Sequence, residues 1–373
     1  MASPRGAAAE IASPRGAAEL TSPRGAATVA ARLLRWFDAN RRDLPWRRGC
    51  DPWAIWVSEV MLQQTRVEAV REPFVRFLRQ FPTPTAFAAA SDDELLTAWR
   101  GLGYYRRARL LRDGARQVVA QHGGRVPGAV GELAELPGIG AYTLGAVASI
   151  AFGHAEVAID GNVERVVARH RGLREVTSTA AARRTIRATV GGWLDAARAG
   201  DFNQAVMELG AMVCTPTSPN CAACPVAADC VARALGLTAQ LPARKPKRAS
   251  IEVAARAVLV VGSRGVLGHR VAAGEPNVGQ IELPGAGMLC SCDPGDLAAV
   301  VFRRFGARLS VGSVVASVRH AITHHRIELH AHAATGKSLG TLGWFAVDQA
   351  TPWTTPSRKV FLAALGADGV MHA

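Results

Sequence analysis

Two carboxylates and a run of cysteines are the residues most able to do chemistry in this chain. Glu59 lies in Trp56-Val-Ser-Glu-Val-Met-Leu-Gln-Gln-Thr65, between Trp56, Val57, Val60 and Met61. A carboxyl group in apolar surroundings keeps its proton closer to neutrality, as a general acid must. The same residue on the wet face of an amphipathic helix would be ordinary. Asp160 opens Asp160-Gly-Asn-Val-Glu-Arg165. It is the residue type of a helix N-cap and also a candidate catalytic carboxylate, and the two roles are compatible. Cys214, Cys221, Cys224 and Cys230 are separated by six, two and five residues. Four thiols in so short a loop can wrap one metal centre, although zinc more often takes two separated Cys-x-x-Cys knuckles. Cys50, Cys290 and Cys292 read as unpaired thiols.

These residues need a scaffold, and the hydrophobic pattern supplies two kinds. From Val29 to Leu237 apolar residues recur at helical spacing, as in Glu94-Leu-Leu-Thr-Ala-Trp99 and Val163-Glu-Arg-Val-Val-Ala-Arg169. Gly and Pro punctuate the runs as loops between packed helices do. Leu136-Pro-Gly-Ile-Gly140 precedes a helix beginning near Tyr142. Its paired glycines let backbone N–H groups approach a phosphate, or simply make a tight packing turn. After the basic linker at 238–250 the period changes. Ala257-Val-Leu-Val-Val-Gly262 is a β-type run, and Arg326-Ile-Glu-Leu-His-Ala-His332 alternates, with Ile327, Leu329 and Ala331 on one face and His330 and His332 on the polar one. Residues 251–373 therefore form an α+β domain. The three Ser-Pro-Arg-Gly repeats at Ser3, Ser13 and Ser22 cannot bury enough surface to fold, so residues 1–28 read as a disordered arm.

The chain has 373 residues and a net charge of +14, carried mostly by arginine, which favours a polyanionic partner. No stretch has the length of a membrane span and no signal-type apolar run leads the chain, which argues against secretion; the expected setting is cytoplasmic, nucleoid-associated and bacterial.

The order of hairpin, Asp160 and cysteine loop resembles the helix-hairpin-helix-Gly-Pro-Asp DNA glycosylases, and the cysteine spacing resembles their [4Fe-4S] loop. Leu44-Pro-Trp-Arg47, Gly101-Leu-Gly-Tyr-Tyr105 and Phe202-Asn-Gln-Ala-Val-Met-Glu-Leu-Gly-Ala-Met-Val-Cys214 extend the resemblance to the MutY family across residues 29–237. It implies a multidomain protein: an all-α helix-hairpin-helix glycosylase domain with an iron–sulfur loop at 214–230, then an α+β Nudix-like domain. It also implies a monomeric hydrolase that removes adenine from A:8-oxoguanine or A:G mispairs in double-stranded DNA. On that resemblance Glu59 protonates adenine N7 and Asp160 stabilises the sugar cation. Tyr142 hydrogen-bonds the Asp160 carboxylate and Asn162 helps place water. Trp46, Arg47 and Gln204 line the adenine pocket. Gln64, Thr65, Leu102 and Tyr104 face DNA, with Gln64 and Tyr104 inserted into the base stack, though helix surface and core packing would explain either one alone. Gly138 and Gly140 hold a phosphate, and Cys214, Cys221, Cys224 and Cys230 hold the cluster.

Two departures stand out. The first cysteine gap, Thr215-Pro-Thr-Ser-Pro-Asn220, has no basic residue where relatives carry DNA-facing ones. Arg319-His-Ala-Ile-Thr-His-His-Arg-Ile-Glu328 matches the 8-oxoguanine loop only loosely, with Thr323 and His324 as the candidate contacts. A Nudix hydrolase needs a Glu-rich box for Mg²⁺, yet Asp296-Leu-Ala-Ala-Val-Val-Phe-Arg-Arg-Phe-Gly306 lacks its acids. The domain is thus expected to bind without hydrolysing nucleotides. Two other readings remain: a bifunctional endonuclease III-type enzyme on oxidised pyrimidines, and a non-catalytic iron–sulfur DNA-binding protein.

Overall fold

The computed structural model describes residues 23–243 and 249–372. Most of the proposed N-terminal arm and the centre of the basic linker lie outside the described residues. The chain divides into two compact units, Met1–Gln63 with Gln121–Lys245, and Gln64–Ala120 with Pro246–Ala373.

The first unit is helical. α1 (Pro23–Asn40) takes in the end of the third repeat and buries Val29, Leu33 and Phe37, spaced four apart on one face. Val163, Val166 and Val167 of α9 (Gly161–Arg171) meet that face, with Ile186, Val190 and Trp193 of α10 (Ala180–Trp193) and Phe202, Val206 and Leu209 of α11 (Ala199–Met212). α2 (Pro52–Leu62) is capped by Asp51, which accepts from the N–H groups of Trp53 and Ala54. It is buried from Ile55 through Met61, so Glu59 sits inside the protein rather than on a wet face. α7 (Val130–Ala134) leads through the Leu136–Gly140 turn, with Gly138 at φ 82°, into α8 (Ala141–Phe152). Gly145 lets α8 lie directly on the chain that follows it: a Cβ there would stand 2.1 Å from the Val157 carbonyl oxygen. The short α12 (Val231–Ala234) follows the cysteine loop.

In the second unit, α3 (Val67–Gln80), α4 (Pro84–Ala88), α5 (Asp92–Ala98) and α6 (Arg106–His122) enclose an aromatic cluster of Phe77, Phe81, Phe87 and Trp99. The C-terminal part is α+β. β1 (Ile251–Leu259) pairs in parallel with β6 (His325–Ser338), which pairs antiparallel with β5 (Arg308–Ile322). A second sheet joins β2 (Val261–Gly262), β3 (Gly265–Arg270) and β4 (Ile281–Glu282), with β7 (Gly343–Phe345) also on β3. Ile327, Leu329 and Ala331 share one core with Val360 and Phe361 of α14 (Thr355–His372). The opposite face is polar and exposed at Arg326 and Glu328, as expected, but is covered farther along the strand. α13 (Leu297–Phe305) covers it with Leu297, Val301 and Phe305. His332 is therefore buried, its ring nitrogens against the Gly312 carbonyl (3.0 Å) and Arg256 Nη1 (3.3 Å), while half-buried His330 meets Ser317 Oγ at 2.8 Å. Where a sheet is covered on its second face, a buried polar side chain such as His332 must find internal partners.

Candidate active site and iron–sulfur loop

Glu59 is 6 % exposed. Burial pushes its carboxyl up to about 7; the Asp160 charge adds to the rise, and the Tyr142 hydroxyl and the Arg47 charge oppose it. The Tyr142 hydroxyl donates to Glu59 Oε2 rather than to Asp160, the partner expected from sequence. The phenol reaches Glu59 because α8 packs along α2. Burial and two neighbouring carboxylates hold Tyr142 well above its usual range, so it stays a donor.

Asp160 caps α9. Its Oδ1 accepts from the Val163 N–H at 2.8 Å and its Oδ2 from Asn162 Nδ2 at 2.6 Å. Burial raises its carboxyl, and these hydrogen bonds pull it back. Asn162 is committed on both sides, since Oδ1 accepts from Arg165 Nη2 at 2.8 Å. Its visible role is to aim the Asp160 carboxylate. Gly210 makes this possible: a Cβ there would meet Asn162 Cβ at 2.6 Å.

Trp46, Arg47 and Gln204 line one cavity of about 440 Å³ together with Phe37, Cys50 and Ile150. Sequence reasoning passed over Glu208, which organises this wall. Its buried carboxylate accepts from Arg42 and Arg47. Burial alone would raise it, but the two guanidinium groups outweigh that and hold it at about 2. An acid inside the apolar run Ala205-Val-Met-Glu-Leu-Gly210 was the available signal.

In the second unit, exposed Gln64 and Tyr104 take left-handed backbone angles, φ 57° and 47°. Bulky residues rarely pay that strain without reason. Arg107 ties the two loops together, donating through Nη2 to Leu102 O (2.9 Å), Gly103 O (3.1 Å) and Thr65 Oγ1 (3.2 Å). Its guanidinium also lies over the Trp99 and Tyr104 rings. The Leu102 side chain, expected to face DNA, is buried, and its carbonyl accepts from Arg107. Thr323, at φ 54°, and His324 form the two-residue turn between β5 and β6, and the His324 and His325 rings lie 4.3 Å apart.

Cys214, Cys221, Cys224 and Cys230 line a single cavity next to Arg169. Burial raises Cys224 to about 11 and also raises Cys230, with neighbouring thiols adding to both. Among the described residues no three His, Cys, Asp or Glu converge on a point that would hold a single ion. Fully buried Arg169 clamps the loop, donating to Leu241 O (2.8 Å), Thr215 O (2.7 Å), Pro216 O (3.1 Å) and Cys214 Sγ (3.3 Å). Arg165 Nε donates to Cys214 O at 2.7 Å.

Residues 57–190 match the family described as HhH-GPD superfamily base excision DNA repair protein. The adenine DNA glycosylase of Mycolicibacterium smegmatis is 42 % identical over 217 residues, covering 58 % of this chain and 73 % of the relative. The chain belongs to the adenine DNA glycosylase family. The human adenine DNA glycosylase is 47 % identical over 210 residues, 54 % of this chain but 38 % of its own length. The chain thus spans about two fifths of that relative and of its rat counterpart, of which 40 % is covered. A thermostable thymine-DNA glycosylase superimposes with a TM-score of 0.50 at 26 % identity, covering 56 % of this chain and 97 % of that one. Endonuclease III in a DNA complex shares the fold, with a TM-score of 0.50 at 22 % identity over 58 % of this chain and 98 % of that one. Among the described residues no helix is long and apolar enough to cross a membrane.

Proposed function

We propose that this member of the adenine DNA glycosylase family hydrolyses the N-glycosidic bond of adenine opposite 8-oxoguanine or guanine in duplex DNA. The observation that carries the reading is Glu59, a buried carboxyl that holds its proton to about pH 7, beside Asp160, whose two oxygens are fixed by Val163 and Asn162. A flipped adenine leaves as a neutral base only if it gains a proton, and Glu59 delivers it to N7. The negative Asp160 faces the cation that develops on the sugar. Tyr142 holds the Glu59 carboxyl in place until transfer. Gln64 and Tyr104, on loops tied by Arg107, wedge into the stack the adenine leaves. The functional division follows the chain, with glycosylase chemistry in residues 29–237 and lesion reading in the Nudix-like residues 251–373. The protein acts as a monomer on chromosomal DNA in the cytoplasm.

The deciding assay places adenine opposite 8-oxoguanine, guanine or thymine and adds alkali afterwards. Excision in the first two duplexes is expected, with strand breaks only after alkali. An enzyme that also cuts the strand needs a neutral amine to form an imine. Tyr142 occupies the position, two residues past the hairpin, where that lysine sits in bifunctional relatives, and the first lysine in the sequence is Lys245. A borohydride-trapped adduct within residues 29–237 would overturn the monofunctional assignment.

Cys214, Cys221, Cys224 and Cys230 would hold a [4Fe-4S] cluster. The donor set fits: four thiols line one cavity, where thiolates would repel one another unless a cationic core held them. Such a cluster braces the loop and contributes no step in base removal. Protein isolated without oxygen is expected to be yellow-brown with about four irons per chain; stoichiometric zinc would overturn this.

Thr323 and His324 are the proposed 8-oxoguanine contacts. Because residues 64–120 belong to the same compact unit as the C-terminal part, point variants test this better than truncation. Replacing both by Ala should narrow the preference for 8-oxoguanine over guanine by about tenfold. An unchanged preference would assign the turn another role.

A further inference from the structure

We propose that Glu208, acting through Arg47, fixes which end of the Gln204 amide faces the substrate, so that the site accepts a purine bearing an amino group and rejects one bearing a carbonyl at the same ring position. The inference deepens the proposed adenine chemistry and rests on it. Arginine has donors and no acceptor. The two terminal nitrogens of Arg47 are held in a fork by Glu208, at 3.0 Å to Oε1 and 2.9 Å to Oε2. Nη1 also donates to Arg42 O at 3.2 Å, and Nε donates to Gln204 Oε1 at 3.1 Å. At its other end Gln204 Nε2 donates to the Gly200 carbonyl at 3.3 Å. Turning the amide over would set N–H against N–H and oxygen against oxygen, so both neighbours enforce one orientation. Neither neighbour is free to adapt. Arg42 grips the same Glu208 carboxylate through its backbone N–H and its guanidinium, at 2.8–3.0 Å. Gly200 is pressed onto α8, where a Cβ would stand 2.7 Å from Ser149 O.

Gln204 also lines the cavity of about 440 Å³ that Trp46 and Arg47 share. A carbonyl oxygen accepts two hydrogen bonds, and Arg47 takes one. The remaining lone pair suits the exocyclic amine of adenine and repels the C6 carbonyl of hypoxanthine. Both bases keep N7, so the proton from Glu59 is equally usable by each. Glu208 is thus a positioning residue whose effect is selectivity rather than proton transfer.

The test is single-turnover excision of adenine and of hypoxanthine, each opposite 8-oxoguanine. The unaltered protein is expected to prefer adenine. In Glu208→Gln one Arg47 nitrogen would face an amide N–H, the fork opens, and the amide can present either end. The adenine-to-hypoxanthine ratio should then fall at least tenfold. In Glu208→Gln combined with Gln204→Glu the ratio should recover, because a carboxylate presents an acceptor to the cavity whichever way it turns, even though its other oxygen gives up the Gly200 hydrogen bond. Equal loss on both bases in Glu208→Gln, or a ratio that stays low in the double variant, would overturn the proposal. If circular dichroism shows Glu208→Gln to be unfolded, Gln204→Glu alone decides. Its ratio should match or exceed that of the unaltered protein, and a tenfold fall overturns the inference. Excision of neither base by the unaltered protein would instead sink the proposed function itself.

Discussion

Glu59→Gln is expected to abolish adenine excision and, above neutral pH, to make the protein more stable. Loss of a general acid costs roughly 100-fold or more in rate. Asp160→Asn should cost as much by removing the charge opposite the sugar cation, while the amide still caps α9. Mismatch binding should survive in both. The stability effect follows from proton linkage. The Glu59 carboxyl titrates at about 7 in the fold and near 4.5 when exposed. The folded state binds the extra proton between those values, so stability falls as pH rises from 4.5 through 7. Above that range the buried charge costs the fold roughly 3 kcal/mol, which Gln avoids. The gain in Tm should therefore be large at pH 8 and vanish near pH 4. The same titration predicts that kcat/KM of the unaltered enzyme declines as pH rises through about 7. Near-normal single-turnover rates in either variant would remove that residue from the mechanism. Equal Tm gains at pH 4 and pH 8 would show that burial of the charge is not the cause.

Arg169→Met should be the most damaging change to the fold. The guanidinium is 1 % exposed and serves three backbone carbonyls and one thiol. Methionine fills much of the volume but donates to none of them. Each buried acceptor left unpaired costs about 1–3 kcal/mol, and breaking a buried charged network costs about 3–5 kcal/mol. That is comparable with the whole stability of a domain. Because Cys214 Sγ and the Thr215 and Pro216 carbonyls are among the partners, iron per chain should fall along with Tm. A variant with normal Tm and full iron content would show that the loop holds itself.

The sequence was most readable where function depends on local spacing. The cysteine intervals, the hairpin glycines and the apolar flanks of Glu59 all lie within short windows, and the helical period around them is strong. What escaped it depends on packing between distant segments. The partner of Tyr142 is decided by how α8 lies on α2, and nothing near Tyr142 names Glu59 rather than Asp160. Glu208 looked like one polar residue in an apolar helix until Arg42 and Arg47 arrived from more than 160 residues away. Leu102 was expected to face DNA, yet its side chain is buried and its carbonyl holds Arg107. The alternation was correct in period, and the face it leaves wet is exposed at Arg326 and Glu328; only at His332, toward the core under α13, is that face buried.

The left-handed residues carry a consequence for evolution in the laboratory. Gln64, Tyr104 and Thr323 each hold φ between 47° and 57°, a region that costs a non-glycine residue about 1–2 kcal/mol. Glycine would relieve that cost at all three places and delete the side chains proposed to meet the damaged duplex. A library sorted only for heat resistance would therefore drift toward glycine at these positions. On the proposed function it would enrich sturdy proteins that no longer interrogate DNA, and only a screen that scores excision alongside folding would keep the proposed wedges.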